Sequence, residues 1–322
     1  MSATFFEKEL RSGMSSDVAL ALAAVRRLAE PTPLTHLPQL DLWIKDERHL
    51  PTGSFKLRGA AAWVSGTSSI GQVFTGSSGN HAAALAWVLS STLGSRRLTA
   101  VVTKQSDPAK VQTLVRAGVR IVTVAGSNES RDRMARHLAS EHEGQYCSSH
   151  DDPLVIAGQA TVAVEILDAM PDTSTVVVPV GGGGLFAGTI QTAADLGGVR
   201  VVGAEPSGAN AMALSLAANR LVRLPAADTR CDALRANEPG LRCFQIARGS
   251  GASVVVVSDQ EVEHAQALLR GLIGHVELSA AAGVAAALKS RLAGAVCVVT
   301  GGPRRVSRTF NGASSSSTGD RV

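Results

Sequence analysis

An α/β fold, with parallel sheets flanked by helices, is what this sequence predicts, and three observations predict it. Eight short runs rich in valine and isoleucine are spread along the chain, with alanine- and leucine-rich segments at helical spacing between them. Alternation of that kind builds a parallel sheet with helices on both faces. The strand runs are apolar almost without interruption, as expected of strands covered on both sides. Three of them end directly in glycine or serine clusters, and ligands in open α/β sheets bind beyond the carboxyl ends of the strands.

In chain order the strand runs are "LWIKDE" from Leu42, "QVFTGS" from Gln72, "LTAVVT" from Leu98, "VRIVTVAG" from Val119, "TVVVPVGG" from Thr175, "VRVVGAEP" from Val199, "ASVVVVSD" from Ala252 and "AVCVVTGG" from Ala295. "HAAALAWVL" from His81, "AKVQTLVRAG" from Ala109 and "QEVEHAQALLRGL" from Gln260 read as helices between them. The clusters that end strands are "GSSGN" (Gly76 to Asn80), "GGGG" (Gly181 to Gly184) and "TGG" (Thr300 to Gly302), and they are expected to converge on one site. The tail "NGASSSSTGDRV" is low in complexity and expected to be disordered.

At 322 residues the chain is longer than a usual domain, which predicts two domains or one α/β unit with a subdomain. Hydrophobic residues make up 45% and charged residues 18%, an ordinary soluble composition, and 3% aromatics argue against stacking platforms for nucleic-acid bases. The net charge of +4 is spread among interspersed acids, which reads as a solvated surface and not as a nucleic-acid patch. Cys147, Cys231, Cys243 and Cys297 are widely spaced with no CxxC pair, which fits the reduced thiols of a cytoplasmic protein. The first residues lack a secretory apolar region and nowhere do 18 apolar residues run together, so neither export nor a membrane is expected.

The stretch "VVVPVGGGGLFAGTIQTAA" is a buried strand, four glycines and a helix, which turns several backbone N–H groups and a helix N-terminus toward an anion. Four consecutive glycines forfeit roughly 0.5–1 kcal/mol each relative to alanine, a cost that close backbone approach to a phosphate would explain. The same glycines also suit a dinucleotide. Gly182, Gly184 and Ala187 satisfy G-x-G-x-x-A, and Glu205 ends the next strand about 20 residues on, where an NAD-type oxidoreductase places its ribose-binding acid. That reading leaves "PTGSFKLRGA" (Pro51 to Ala60) and "GSSGN" unexplained.

Of the six lysines, Lys56 sits on a turn that opens into an apolar helix. Partial desolvation there would lower its pKa and supply the neutral amine that Schiff-base chemistry needs. A surface lysine at the start of a helix would have the same spacing.

Taken together and in order, "PTPL" (31–34), "PTGSFKLRGA", "SSGNHA" (77–82), "DDPLVIAGQAT" (151–161), "VGGGGL" (180–185), "GAEP" (203–206) and "VELSAAAGVAAAL" (276–288) resemble fold-type II pyridoxal-phosphate enzymes. The likeness is to the serine/threonine dehydratase and serine racemase group and spans about residue 16 to residue 303. It implies a two-domain fold, similar to the tryptophan synthase β chain. Residues 1–72 and 147–322 would form the large cofactor-binding domain, and 73–146 a small mobile one that closes over the substrate.

The resemblance implies pyridoxal 5′-phosphate as cofactor, in an aldimine with Lys56, its phosphate held by Gly181, Gly182, Gly183 and Gly184 and its ring near Phe55. Asn80 would meet the 3′-oxygen. Thr300 would face the pyridine nitrogen, and a neutral hydroxyl there weakens the ring as an electron sink and favours elimination over transamination. Ser77, Ser78 and Asn80 resemble the site that holds the substrate carboxylate, although "SSGN" is also a good turn.

Lys56 would take the Cα proton of a serine- or threonine-type β-hydroxy amino acid, whose dehydration yields a 2-oxo acid and ammonia. A serine racemase is the alternative, because Ser78 resembles a second acid/base on the opposite face. Arg131 matches an arginine near the substrate in that branch, and it also suits an exposed helix position. Glu277 matches a family acid near the cofactor. The family's magnesium or calcium site is partly matched by Glu205 and the Ala209 carbonyl, whereas Ala211 lacks the expected side-chain oxygen. No regulatory domain is expected after "TGGPRR", and a homodimer is.

Overall fold

All eight valine-rich runs form strands, in two separate sheets. The computed structural model describes residues 14–94 and 97–302, so the serine-rich tail lies outside the described residues. Helix α1 (Ser16–Arg26) begins on a Ser15 side-chain cap and leads into β1 (Leu34–Leu37) and β2 (Leu42–Asp46). Helix α2 (Lys56–Gly66), β3 (Val73–Gly76), α3 (Asn80–Thr92), β4 (Leu98–Thr103), α4 (Pro108–Arg116), β5 (Arg120–Val124), α5 (Asn128–Glu141) and β6 (Gln145–Tyr146) follow. The remainder alternates α6 (Pro153–Ala169), β7 (Thr175–Pro179), α7 (Gly184–Leu196), β8 (Arg200–Pro206), α8 (Ala211–Ala218), α9 (Leu241–Ser250), β9 (Ser253–Val257), α10 (Asp259–Ile273), α11 (Ala282–Lys289) and β10 (Val296–Val299).

The larger sheet runs β1-β2-β10-β7-β8-β9 and is parallel except for the β1–β2 pair. The smaller runs β5-β4-β3-β6, is wholly parallel, and uses strands from Val73 to Tyr146 alone. The edge strand β1, whose Thr35 and His36 are polar and exposed, and the two-residue β6 carry no apolar run to mark them in the sequence.

Each sheet has its own apolar layers. Val177, Val202, Cys297 and Val299 pack under α10 and α11 on one face of the larger sheet, and Val176, Val178, Val296 and Val298 pack under α6, α7 and α9 on the other. Val73, Leu98 and Ala100 of the smaller sheet pack with Leu85 and Leu89 of α3 and with Leu57 and Ala61 of α2. Helix α6 is apolar nearly all round because it is enclosed nearly all round. It crosses α2 at Gly158, where a Cβ would stand 2.4 Å from the Arg58 carbonyl oxygen. Only glycine admits that approach, and the crossing fixes where α2 begins.

Beneath that crossing lies a cluster of charges that the sequence reading does not anticipate. Arg58 donates from Nε to Glu47 Oε2 (2.6 Å) and from Nη1 to Glu165 Oε1 (2.7 Å), and Lys45 donates to Glu165 Oε2 (2.6 Å). The Arg58 side chain is 0% exposed. Buried charges persist only when paired and hydrogen-bonded, and here two cations meet two anions.

Candidate active site

Lys56 is the first residue of α2, and its amine enters a cleft of about 470 Å³ where the carboxyl ends of both sheets meet. The turn before it is pinned to the larger sheet: Phe55 N donates to the Thr300 carbonyl (3.1 Å), and Gly302 N to the Gly53 carbonyl (3.1 Å). Lys56 Nζ donates to the Ser149 carbonyl at 2.6 Å and lies 4.8 Å from the centre of the Phe55 ring. Among the described residues no carboxylate pairs with it. Burial of the amine therefore pulls its pKa from 10.5 to about 8, which separates it from the surface lysine that the spacing alone also allows.

The cleft brings together Phe55, Lys56, Ser77, Ser78, Asn80, Arg131, Gly181, Gly182, Gly183, Gly184, Glu277 and Thr300. Ser77 and Ser78 follow β3 and precede α3, and Ser77 Oγ accepts from Gly79 N (3.2 Å), so the serine turn exists and also lines the cleft. Asn80 Nδ2 donates to Glu277 Oε2 at 3.0 Å, which ties α3 to the turn between α10 and α11. Arg131 on α5 is 17% exposed, so it is not a solvated helix arginine, and its nearest carboxylate is Asp132 at 3.5 Å.

The four glycines form a cradle at the N-terminus of α7. Gly183 has φ 98°, which a side chain would strain. A Cβ on Gly182 would stand 2.4 Å from the His150 ring, and one on Gly184 would stand 2.5 Å from Gln159 Oε1. His150 and Gln159 fill the space a side chain would take, and a glycine run at a helix N-terminus suits a phosphate held by N–H groups. Lysine amine, aromatic neighbour and phosphate cradle in one cleft fit pyridoxal 5′-phosphate, with Lys56 and Gly181 to Gly184 as its holders.

The metal expectation meets a different arrangement. Glu205 is buried at the end of β8, and its two carboxylate oxygens accept from Met212 N (2.9 Å) and Ala213 N (2.8 Å) at the start of α8. It caps a helix whose own N-cap residue, Asn210, makes no side-chain bond. Ala209 is buried, and Ala211 supplies no side-chain oxygen. Among the described residues no cluster of three or more His, Cys, Asp or Glu is placed to hold a metal ion. A magnesium or calcium ion held here would have Glu205 as its one side-chain ligand, with backbone carbonyls and water completing its shell.

Sequence reasoning misses residues 148–150, which line the cleft with Lys56 and the glycine cradle, and gives Asp151 only as part of a motif. Ser149 supplies the carbonyl that holds the amine, and Ser149 Oγ lies 3.0 Å from His150 Nδ1. Asp151 caps α9 through Leu241 N, Arg242 N and Cys243 N. His81, directly after Asn80, is 3% exposed, its ring enclosed beside the Cys147 backbone. Burial, with the nearby Lys56 charge, lowers the pKa of His81 to about 3 and of His150 to about 4, so both imidazoles are neutral at pH 7. The only signal in the sequence is position: two histidines adjoin the motifs "SSGN" and "DDPL".

Residues 25–301 match the family described as pyridoxal-phosphate dependent enzyme. The chain belongs to that family. Within it, an L-threonine ammonia-lyase of Geobacter sulfurreducens is 33% identical over 82% of this chain and 67% of its own. A serine racemase of Oryza sativa is 32% identical over 86% of this chain and 85% of its own. Among solved structures, the serine racemase of maize superposes with a TM-score of 0.83 at 29% identity, covering 90% of this chain and 93% of that one. A PLP-enzyme fold removes the dinucleotide reading: the glycine run belongs to a cleft that also holds a lysine amine, which an NAD-type oxidoreductase does not need.

Proposed function

We propose that this chain is an ammonia-lyase that dehydrates a serine- or threonine-type β-hydroxy amino acid to a 2-oxo acid and ammonia. The observation that carries the reading is the Lys56 amine, held by one neutral carbonyl and down to about 8, between a phosphate cradle and a serine-rich turn. Bound pyridoxal 5′-phosphate supplies electron withdrawal from the carbon that bears the substrate amine. Everything else falls to side chains of this chain. Lys56 accepts the proton from Cα, and its lowered pKa keeps a useful fraction neutral near pH 8. The β-hydroxyl leaves as water once protonated, and the resulting enamine hydrolyses to the 2-oxo acid and ammonia.

Ser77, Ser78 and the backbone of their turn bind the substrate carboxylate, next to the N-terminus of α3. Thr300 presents a neutral hydroxyl where the pyridine nitrogen would lie, which disfavours reprotonation on the cofactor. Residues 73–146 act as a small mobile domain. Contacts that cross the cleft mouth support its closure: Lys110 pairs with Asp232, Asn128 Nδ2 donates to the Arg235 carbonyl (3.2 Å), and Asn237 Nδ2 donates to Glu129 Oε1 (3.3 Å). Four buried free cysteines agree with a cytoplasmic location.

Racemisation is the second reading, and Ser78 favours it, since a hydroxyl lining the cleft apart from Lys56 could protonate the other face. Ammonia and 2-oxo acid release from L- and D-serine, threonine, hydroxyaspartate and phenylserine tests both. Release that disappears in Lys56→Ala supports the lyase; inversion of configuration without release supports the racemase.

A further inference from the structure

His150 packs its ring against the second glycine of the cradle: a Cβ on Gly182 would stand 2.4 Å from Cγ and Cδ2 and 2.6 Å from Nδ1. Its backbone packs against the fourth, since a Cβ on Gly184 would stand 2.8 Å from the His150 carbonyl oxygen and 3.0 Å from its Cα. Nδ1 is engaged by Ser149 Oγ at 3.0 Å. With the Ser149 hydroxyl as the donor in this pair, the ring carries its hydrogen on Nε2. Nε2 lies at the far end of the ring, without a hydrogen-bond partner among the described residues, on a residue that lines the cleft.

We propose, building on the cofactor reading above, that His150 is a binding residue for the cofactor's phosphate, donating from Nε2–H to the anion held by Gly181 to Gly184. The backbone N–H groups of a glycine loop and a helix terminus supply partial charges from one side. A neutral imidazole adds a directed donor from the other without placing a second full cation beside Lys56. A cationic side chain here would lower the pKa of the Lys56 amine further, and a purely apolar one would leave a phosphate oxygen unpaired inside the cleft.

The test compares pyridoxal 5′-phosphate with pyridoxal, which lacks the phosphate, on the full-length protein freed of cofactor. Dissociation constants are measured from the visible absorbance band for wild type, His150→Phe, His150→Asn and Ser149→Ala. His150→Phe keeps a ring against Gly182 and removes the donor, and it is expected to weaken pyridoxal 5′-phosphate by about 10- to 100-fold, the worth of a hydrogen bond to a charged group. Pyridoxal affinity should be unchanged. His150→Asn, which keeps an N–H, should recover part of the loss, and Ser149→Ala should show a smaller loss confined to the phosphorylated ligand. Circular dichroism of each variant checks the fold. An equal loss for both ligands, or none for either, overturns the proposal. Failure of wild type to develop the visible band with either ligand would instead overturn the cofactor reading on which it rests.

Discussion

Lys45 and Lys56 are the same side chain in two surroundings, one on each side of α2. Lys45 is 1% exposed and donates to a carboxylate and a carbonyl, Glu165 Oε2 at 2.6 Å and Thr32 O at 2.7 Å. Lys56 is half-buried, faces the cleft, and has a single neutral acceptor in the Ser149 carbonyl. The difference lies in the counter-ions. Burial lowers the pKa of Lys45 as well, but the charges of Glu165 and Glu47 act against that pull, and the ion pair with Glu165 ties it into a network that joins β2, α2 and α6. With no anion beside it, Lys56 is desolvated without compensation and gives up its proton near pH 8. A lysine in a protein interior is thus a structural element or a reactive one according to the charges that the fold brings to it.

The largest expected effect breaks the reactive side of the pair. Lys56→Ala should lower turnover by about 10²–10⁴-fold or more, the contribution of a positioned acid–base group, while the thermal midpoint stays close to wild type. Next comes the structural side. Arg58→Met leaves Glu47 and Glu165 with Lys45 alone, and should cost about 3–5 kcal/mol in urea unfolding while the turnover of the remaining folded protein changes little. If the two substitutions exchange these phenotypes, the comparison fails.

Two pH profiles sharpen it further. Against the desolvation of burial, the hydrogen bond and charge of Arg58 and the charge of Lys45 hold Glu165 down at about 2, below its usual 4.5. The folded state then binds fewer protons than the unfolded one between those values, so this stability is fully present above about pH 4.5 and is lost as pH falls toward about 2. Urea midpoints across that range should fall less steeply in Glu165→Gln. For Lys56 the folded pKa is again the lower one, but the charged form is the penalised form. In cofactor-free protein, Lys56→Met should therefore be more stable than wild type below about pH 8, and the gain should shrink as pH rises toward 10.5. The smallest effect concerns Glu205. Glu205→Gln loses one of two acceptors at the start of α8 and should cost about 1 kcal/mol in thermal unfolding.

Local pattern determined the strands, the helices and the glycine cradle. A run such as "VVVPVGGGG" carries its period, its breaker and its backbone geometry within a few residues, and Lys56 stands out because its turn and helix are neighbours in the chain. Ser77, Ser78, Asn80 and Thr300 were legible for the same reason: each follows a strand end, and strand ends of a parallel sheet gather at one edge. What no local pattern carries is a partner distant in sequence. Glu165 reaches Lys45 and Arg58 only because α6 crosses α2 at Gly158, Glu205 becomes a helix cap only where β8 meets α8, and His150 joins the cradle only because its loop lies under Gly182. Tertiary structure decided which charges are neutralised and which are left reactive, because Coulomb energy and desolvation depend on the distances between side chains and not on their separation along the chain.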